Sequence, residues 1–446
     1  MGEGERGAMN TIAREGNHVR TLLITMTIAS ALVSMSAGLA RAAESGAATH
    51  KPGSGYRLFE DESGSVNFKA WAYARYLNQK GLDDTYTDSF GTVKSVDIRQ
   101  DIQFNKAILY FYGWFMDPRF RYLTYVWTTN TSQGQGAQVV LAGNLSYRFS
   151  NYLTLFAGIG GLPGVRSTSY NFPFWLGVDQ RLIADEFFRP SYTSGIWAEG
   201  TLAKGVTYIV MLGDNLSQLG VDAAQMDNTL DTWSGALVWM PTTGEFGSGR
   251  GGFGDFEAHE KLATRVGAHF TYSTENRQSQ PGTEDPENSQ IRISDGNVVF
   301  TPGLFGAGVN VIDVAYHMFA VDAGVKYHGF SLEGEIYSRW VNNIRGDNVD
   351  QLTFDELKDH GFQLQASAMV KPQTVQVYVS TSKILGEYGD PWDARVGVNW
   401  YPWDNQCVRW NNEFIRLEHS PVGALSLPYV VGGNGLVFHS NFEVNF

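Results

Sequence analysis

A single cysteine, Cys407, stands in 446 residues. That excludes a disulfide scaffold and any metal centre built on clustered thiolates. Charge is scarce too, at 18% of residues against about 25% in ordinary globular chains, which is little for the surface of a water-soluble body of this size. Basic residues are outnumbered 33 to 46, for a net charge of -13, whereas a nucleic-acid binder needs a basic footprint. Beyond residue 33 no uncharged apolar run is long enough to cross a bilayer as a helix, so a membrane placement would require a closed barrel of strands. Chemistry-bearing motifs are missing as well. There is no P-loop and no H-E-x-x-H, and the glycines of Gly158-Ile159-Gly160-Gly161 end a strand without opening a helix. The histidines are scattered without ligand-like spacing, so no metal or cofactor is expected and no motif asks for an enzyme. Cys407 falls in a strand, as a small buried or lipid-facing residue.

What is present points the other way. Aromatics reach 13% and glycines number 50, so the chain has ample apolar surface to bury and is not disordered. Arg14 and Arg20 precede an apolar stretch over 22–33, and small residues follow, ending in Ala40-Arg41-Ala42. Residues 1–42 therefore have the form of a secretory signal peptide. Residues 43–64 form a short, polar periplasmic segment, too small to plug a pore, and 65–446 form the main body.

That body alternates with period two. In the last stretch Leu436, Phe438, Phe442, Val444 and Phe446 share one face, while His439, Asn441, Glu443 and Asn445 share the other. Over 96–114, Ile98, Ile102, Phe104, Ile108, Tyr110 and Trp114 alternate with Asp97, Arg99, Asp101 and Gln103. About sixteen such stretches follow one another, each close to the length a tilted membrane strand needs. Tight turns such as Asp117-Pro118, Lys204-Gly205 and His328-Gly329 alternate with longer links, the layout of an all-β, closed antiparallel transmembrane β-barrel. The link 241–261 breaks the rule, being long and glycine-rich where a short turn is due. Aromatic clusters at strand ends (Tyr110, Tyr112 and Trp114; Trp400, Tyr401 and Trp403) suit interfacial girdles.

A signal peptide, about sixteen strands and a closing aromatic resemble bacterial outer-membrane porins. More narrowly, the run from Gly329-Phe330-Ser331-Leu332-Glu333-Gly334-Glu335 to Arg339-Trp340, the strand opening at Gly361-Phe362, and Glu387-Tyr388-Gly389-Asp390 leading to Asn399-Trp400-Tyr401 resemble the phosphate-selective porin O and P family. The resemblance implies residence in the bacterial outer membrane, contact with its lipid and a homotrimer. It also implies delivery to the barrel-assembly machinery through the strand ending at Phe446. The matching motifs describe strands and turns, so phosphate selectivity is not inferred from them.

Strand parity assigns Lys69, Arg75, Arg99, Arg265, Lys326, Arg339, Lys371, Arg395 and Arg409 to the lumen, with Asp97, Asp101, Asp322, Glu333, Glu335, Glu413 and Glu443 opposing them. The signs nearly balance, and these charges either line the water path or pair across strands. The link 163–193 carries Arg166, Asp179, Arg181, Asp185, Glu186 and Arg189 beside an aromatic stretch at 172–175. In porins of sixteen strands, which the chain resembles, that link folds inward and narrows the channel, so its charges are expected to meet the solute. The leading function is a porin for passive diffusion of hydrophilic solutes or small anions, either general or anion-preferring. A substrate-specific transporter and a non-transporting anchor or adhesin are the alternatives.

Overall fold

A computed structural model describes residues 49–51, 55–129, 138–169, 172–217, 229–247, 252–276, 291–424 and 426–446. Residues 1–42, expected as a signal peptide, lie outside them. Strands are numbered along the chain: β1 (Thr49–Lys51), β2 (Gly55–Glu60), β3 (Gly64–Leu82), β4 (Thr85–Thr87), β5 (Val93–Ser95), β6 (Gln100–Phe115), β7 (Asp117–Thr129), β8 (Gln138–Arg148), β9 (Thr154–Gly161), β10 (Tyr192–Ala203), β11 (Val206–Gly213) and β12 (Thr232–Trp239). They continue as β13 (Ala263–Asn276), β14 (Asn310–Tyr327), β15 (Phe330–Asp347), β16 (Leu357–Lys371), β17 (Val375–Gly386), β18 (Trp392–Trp400), β19 (Val408–Glu418) and β20 (Gly435–Asn445). β3 and β6 to β20 pair antiparallel, each with its successor, and β20 returns to β3. This is a closed barrel of sixteen strands. β4 and β5 make a hairpin in the first long link. The one α-helix among the described residues, α1 (Ile183–Phe188), lies inside the barrel.

Closure is completed at the C-terminus. The backbone N–H of Ala70 donates to the Phe446 carbonyl at 2.6 Å, and that of Phe446 to the Ala70 carbonyl at 2.9 Å. Beyond that point β2 takes over as the partner of β3, pairing Tyr56 with Phe68. Part of the segment expected only as a periplasmic lead-in is therefore wall, continuing the row where β20 runs out.

The wall is apolar outside and polar inside. Phe319, Ile336, Val379, Val396, Phe414 and Phe442 are exposed, while their strand neighbours Asp322, Glu335, Ser380, Arg395, Glu413 and Glu443 are buried. An apolar belt of that extent in water would drive association, so its solvent is lipid. At the short-turn end (the inner end below; the long links define the outer end) Phe115 and Phe120 at 4.3 Å, Tyr147 and Phe149 at 4.7 Å, and Trp400 and Trp410 at 6.2 Å form the aromatic girdle. Between β14 and β15 the turn is His328 and Gly329, both at positive φ, as a two-residue hairpin requires.

One phase shift corrects the sequence reading. The register of β3 on β6 slips so that Tyr73 faces Lys106 and Ala74 faces Phe104, leaving Asn105 as a bulge. Ile102 and Phe104 point outward as expected, but Ile108 is buried inside, and Tyr110, Tyr112 and Trp114 share its lumenal parity rather than forming a girdle. Asp97 and Arg99 precede the strand and sit at the outer mouth. Ile102 lies near the outer strand end, so Leu109, also exposed, occupies the mid-strand outward position. We expect Leu109→Arg to cost about 2–4 kcal/mol and Ile102→Arg about 0–1 kcal/mol, because the penalty falls with distance from the bilayer centre. Urea unfolding in lipid vesicles measures both, and equal costs would refute the depth assignment. Gln103 faces inward as expected but is buried, donating to Asp101 at 3.0 Å. Gln103→Arg is therefore not the mild change a wet lumen would allow.

Candidate functional site

The link between β9 and β10 folds into the barrel in its described residues, 162–169 and 172–191. Its aromatic stretch packs on the wall, with Phe172 against Trp71 at 4.8 Å and against Trp175 at 5.4 Å. Further along, α1 presses Phe188 flat against Tyr337 at 5.0 Å. A Cβ on Gly164 would come 2.3 Å from the Thr271 hydroxyl, so only glycine lets the segment leave the wall so tightly.

The charges of this segment meet the wall and one another. Arg166, 2% exposed, donates to Glu333 at 2.7 Å, and its backbone N–H donates to Glu335 at 2.8 Å. Asp179 accepts from Tyr73 at 2.8 Å and Lys106 at 2.7 Å. Arg181 donates to Ser167 at 2.8 Å, Ser167 donates to Asp185 at 2.9 Å, and Arg189 pairs with Glu186. Burial pushes the Asp185 carboxyl up to about 6, with Arg181 and Ser167 pulling the other way. The inward fold matches the sequence reading, but the role of the charges differs: these groups fasten the segment.

Most of the predicted lumenal arginines hold the other end of the fastening. Arg409 pairs with Glu443 at 2.5 Å and donates to the Trp175 carbonyl at 2.7 Å; Arg395 pairs with Asp393 at 2.7 Å and donates to the Arg181 carbonyl at 2.7 Å. Arg75 donates to the carbonyls of Val178 at 2.7 Å and Ser426 at 2.6 Å. Arg339 bonds Asp359 at 2.5 Å and lies 4.1 Å from the Phe187 ring, and Arg265 bonds Asp322 at 2.7 Å. Between them runs an amide ladder, Asn441 to Asn411 to Asn399 to Gln376, with links of 2.8–2.9 Å. An inward segment with exposed backbone carbonyls must have donors, and this wall supplies them while carboxylates offset the added charge.

The exceptional link 240–262 enters from the inner end. Phe246 is buried, and Lys326 donates to the carbonyls of Phe246 at 2.9 Å and of Gly252 at 2.5 Å. Phe253 donates its N–H to the Phe174 carbonyl at 2.9 Å, joining the two inward segments through their backbones. The Arg166 guanidinium caps that junction, 4.6 Å from the Phe253 ring. Asp255, fully buried, accepts from Gly329 N–H at 2.8 Å and holds the His259 ring. Burial disfavours the charged imidazole of His259, but the hydrogen bonds it donates to the Asp255 and Glu245 carboxylates outweigh this and raise its pKa. In its described residues the long link is a second inward segment.

Other long links close the outer mouth over the same side. Tyr429 donates to the Arg181 carbonyl at 3.0 Å, and Ile291, Ile293, Val299 and Phe300 join an apolar cluster with Leu77, Tyr316 and Leu417. Above them Phe90, Phe305, Phe354 and Tyr388, each from a different link, make ring contacts of 5.2–6.3 Å.

Space remains at the inner ends of β7 to β12. There the lumenal residues are small or half-buried, and a cavity of about 520 Å³ opens among Arg121, Ser146, Arg148, Phe156, Glu199 and Phe246. Of the predicted pore-lining set, Lys69 lies over the Phe174 ring at 5.8 Å, and Arg99 donates to the Leu427 carbonyl at 3.2 Å. Asp101 takes the Gln103 amide. Lys371 is a correction: a register shift after Met369 leaves it exposed at the inner turn. Sequence reasoning missed Lys106, which the bulge turns inward, and Asp359, Asp393 and His269, whose lumenal parity was the available signal.

Three solved structures share this architecture. An anion-selective porin from Comamonas acidovorans matches with a TM-score of 0.53 and 10% identity, over 86% of this chain and 100% of its own. The outer membrane channel DcaP of Acinetobacter baumannii gives 0.54 and 8%, over 87% and 99%. Outer-membrane OmpT of Vibrio cholerae gives 0.52 and 10%, over 87% and 99%. At such identities the likeness establishes the fold. No protein-family model and no curated protein matches the chain.

Proposed function

We propose that the chain is a bacterial outer-membrane porin, a passive channel for small hydrophilic solutes. The observation that carries this reading is a closed barrel, apolar outside, whose lumen is narrowed by an inward outer link yet keeps a cavity of about 520 Å³ at the inner ends of β7 to β12. A structural anchor would have no use for that asymmetry, since nothing in anchoring requires open lumen. The fold shared with outer-membrane channels supports the placement, and the strand ending at Phe446 as the signal for the assembly machinery is part of the proposal. The homotrimer is part of the proposal on the porin resemblance alone.

Charge selectivity is expected to be weak. An anion-preferring channel, and still more a phosphate-selective one, depends on arginines whose field is not cancelled. Here Arg265, Arg339, Arg395 and Arg409 each hold a carboxylate. In a planar bilayer the purified protein should give ohmic steps, with a reversal potential near zero in a salt gradient. Silence under conditions where the refolded barrel inserts would remove the porin reading, and a strongly anionic reversal potential would restore the anion-preferring one.

A further inference from the structure

The open side of the lumen has a definite chemistry. Tyr110 and Tyr125 lie side by side on β6 and β7 with ring centroids 5.8 Å apart, and Trp127 follows on the same face. All three are half-buried against the Trp71–Tyr73 cluster, each with part of its surface still open. Farther toward the inner end, beyond β8, Phe156 is stacked on Trp197, centroids 4.9 Å apart and planes 6° from parallel, with Phe156 opposite Ser146 and Ser146 opposite Arg121. The floor between the two ring pairs is small: Ala142 opposite Tyr125, and Asn144 opposite Gly158. Gly158 sits at φ +133, and a Cβ there would meet the Gly143 carbonyl at 2.5 Å, so the floor cannot rise at that position. At the outer end Lys106 bridges Asp179 at 2.7 Å and lies 5.3 Å over the Trp127 ring. At the inner end Ser146 and Phe156 line the cavity, where Arg148 and Glu199 present both signs of charge.

We infer that this groove is a binding track for ring-shaped, hydroxyl-rich solutes of the pyranoside class. The inference rests on the porin reading above. A pyranose ring has apolar C–H faces, which lie on aromatic faces, and a rim of hydroxyls that both donate and accept. Aromatic rings with the Lys106–Asp179 pair at one end and charges of both signs at the other match the two parts together. A simple anion would have no use for the rings, and an apolar solute would strand the ion pair.

The probe is maltotriose, with sodium benzoate as a flat, charged comparator, added to wild-type channels conducting potassium chloride in a planar bilayer. Maltotriose at millimolar concentration is expected to interrupt the ion current. Trp127→Ala and Tyr125→Ala should each weaken that block by roughly threefold to tenfold. Trp127→Phe, which keeps a ring, should recover part of it, and the outward-facing Trp400→Ala should leave it unchanged. Normal ohmic steps with no maltotriose block overturn the track and leave the porin standing. So does block by benzoate alone, or a block insensitive to Trp127→Ala in channels of wild-type conductance. Absence of ion steps in the wild type brings down the porin reading itself.

Discussion

Replacing Arg166 with methionine is expected to lower the stability of the barrel by about 3–5 kcal/mol, the usual cost of stripping one partner from a buried ion pair. The guanidinium sits where the outer inward segment, the inner one and the wall meet. It bonds Glu333 at 2.7 Å, comes within 3.9 Å of Asp322, and faces the rings of Phe253 and Phe246. Methionine fills much of the volume but leaves Glu333 charged in a packed interior. Asp322 keeps Arg265 and His269, so the penalty falls mainly on Glu333. The diagnostic is the double variant Arg166→Met with Glu333→Gln, which removes both charges and should regain a large part of the loss. Urea unfolding midpoints of the vesicle-inserted protein report the cycle. A single variant no weaker than the double would show that the pair fastens nothing.

Shortening the inner segment should have the largest effect on permeation. Substituting residues 245–256 by a two-residue Asn-Gly hairpin removes Phe246 and Phe253 from the lumen. It also takes away the carbonyls that Lys326 binds. Single-channel conductance should rise severalfold, since the narrowest part of a pore dominates its resistance. A milder version uses pH. His259 is held by Asp255 and Glu245 with a raised pKa, so the charged ring stabilises the segment at acid pH. That contribution is fully present below the unfolded pKa and is lost as pH rises through the folded one. Current noise should therefore grow with rising pH in the wild type and be flat in His259→Gln. Unchanged conductance in the shortened variant would mean that the segment lies off the permeation path.

Period-two alternation made the strands legible because one face meets lipid along its whole length; 436–446 and 330–340 needed no other signal. The bulge at Asn105 escaped notice since a single inserted residue leaves the composition of the stretch intact while reversing the phase of everything after it. Lys106 and Tyr110, on which the track depends, were hidden by that reversal. Parity also assigned Arg395 and Arg409 to the lumen correctly but could not tell what they would face. Alternation records inside against outside, and a lumen filled by a loop is as polar as one filled by water. The partners of those arginines are backbone carbonyls at 175, 176 and 181, which no side-chain pattern encodes. The length of the 241–261 link was the visible trace of a second segment inside, and its glycines agree with the tight approach at Gly252 and Gly254.

The seam between β20 and β3 sets a constraint in time. Trp71 bonds Glu443 and Arg75 bonds Asn441, so the first wall strand waits for the last one through nearly the whole synthesis and export of the chain. Until Phe446 arrives, β3 offers an unpaired row of backbone donors and acceptors, the kind of edge on which chains aggregate. Loop-closure entropy grows only slowly with length, so the burden of so distant a pairing is kinetic: a slow search with a sticky edge exposed. The β2 hairpin covers one stretch of that edge from the start, at Phe68 and its neighbours. It leaves residues 71–82 for the final strand alone, and a chaperone of the unfolded chain would have to shield that stretch.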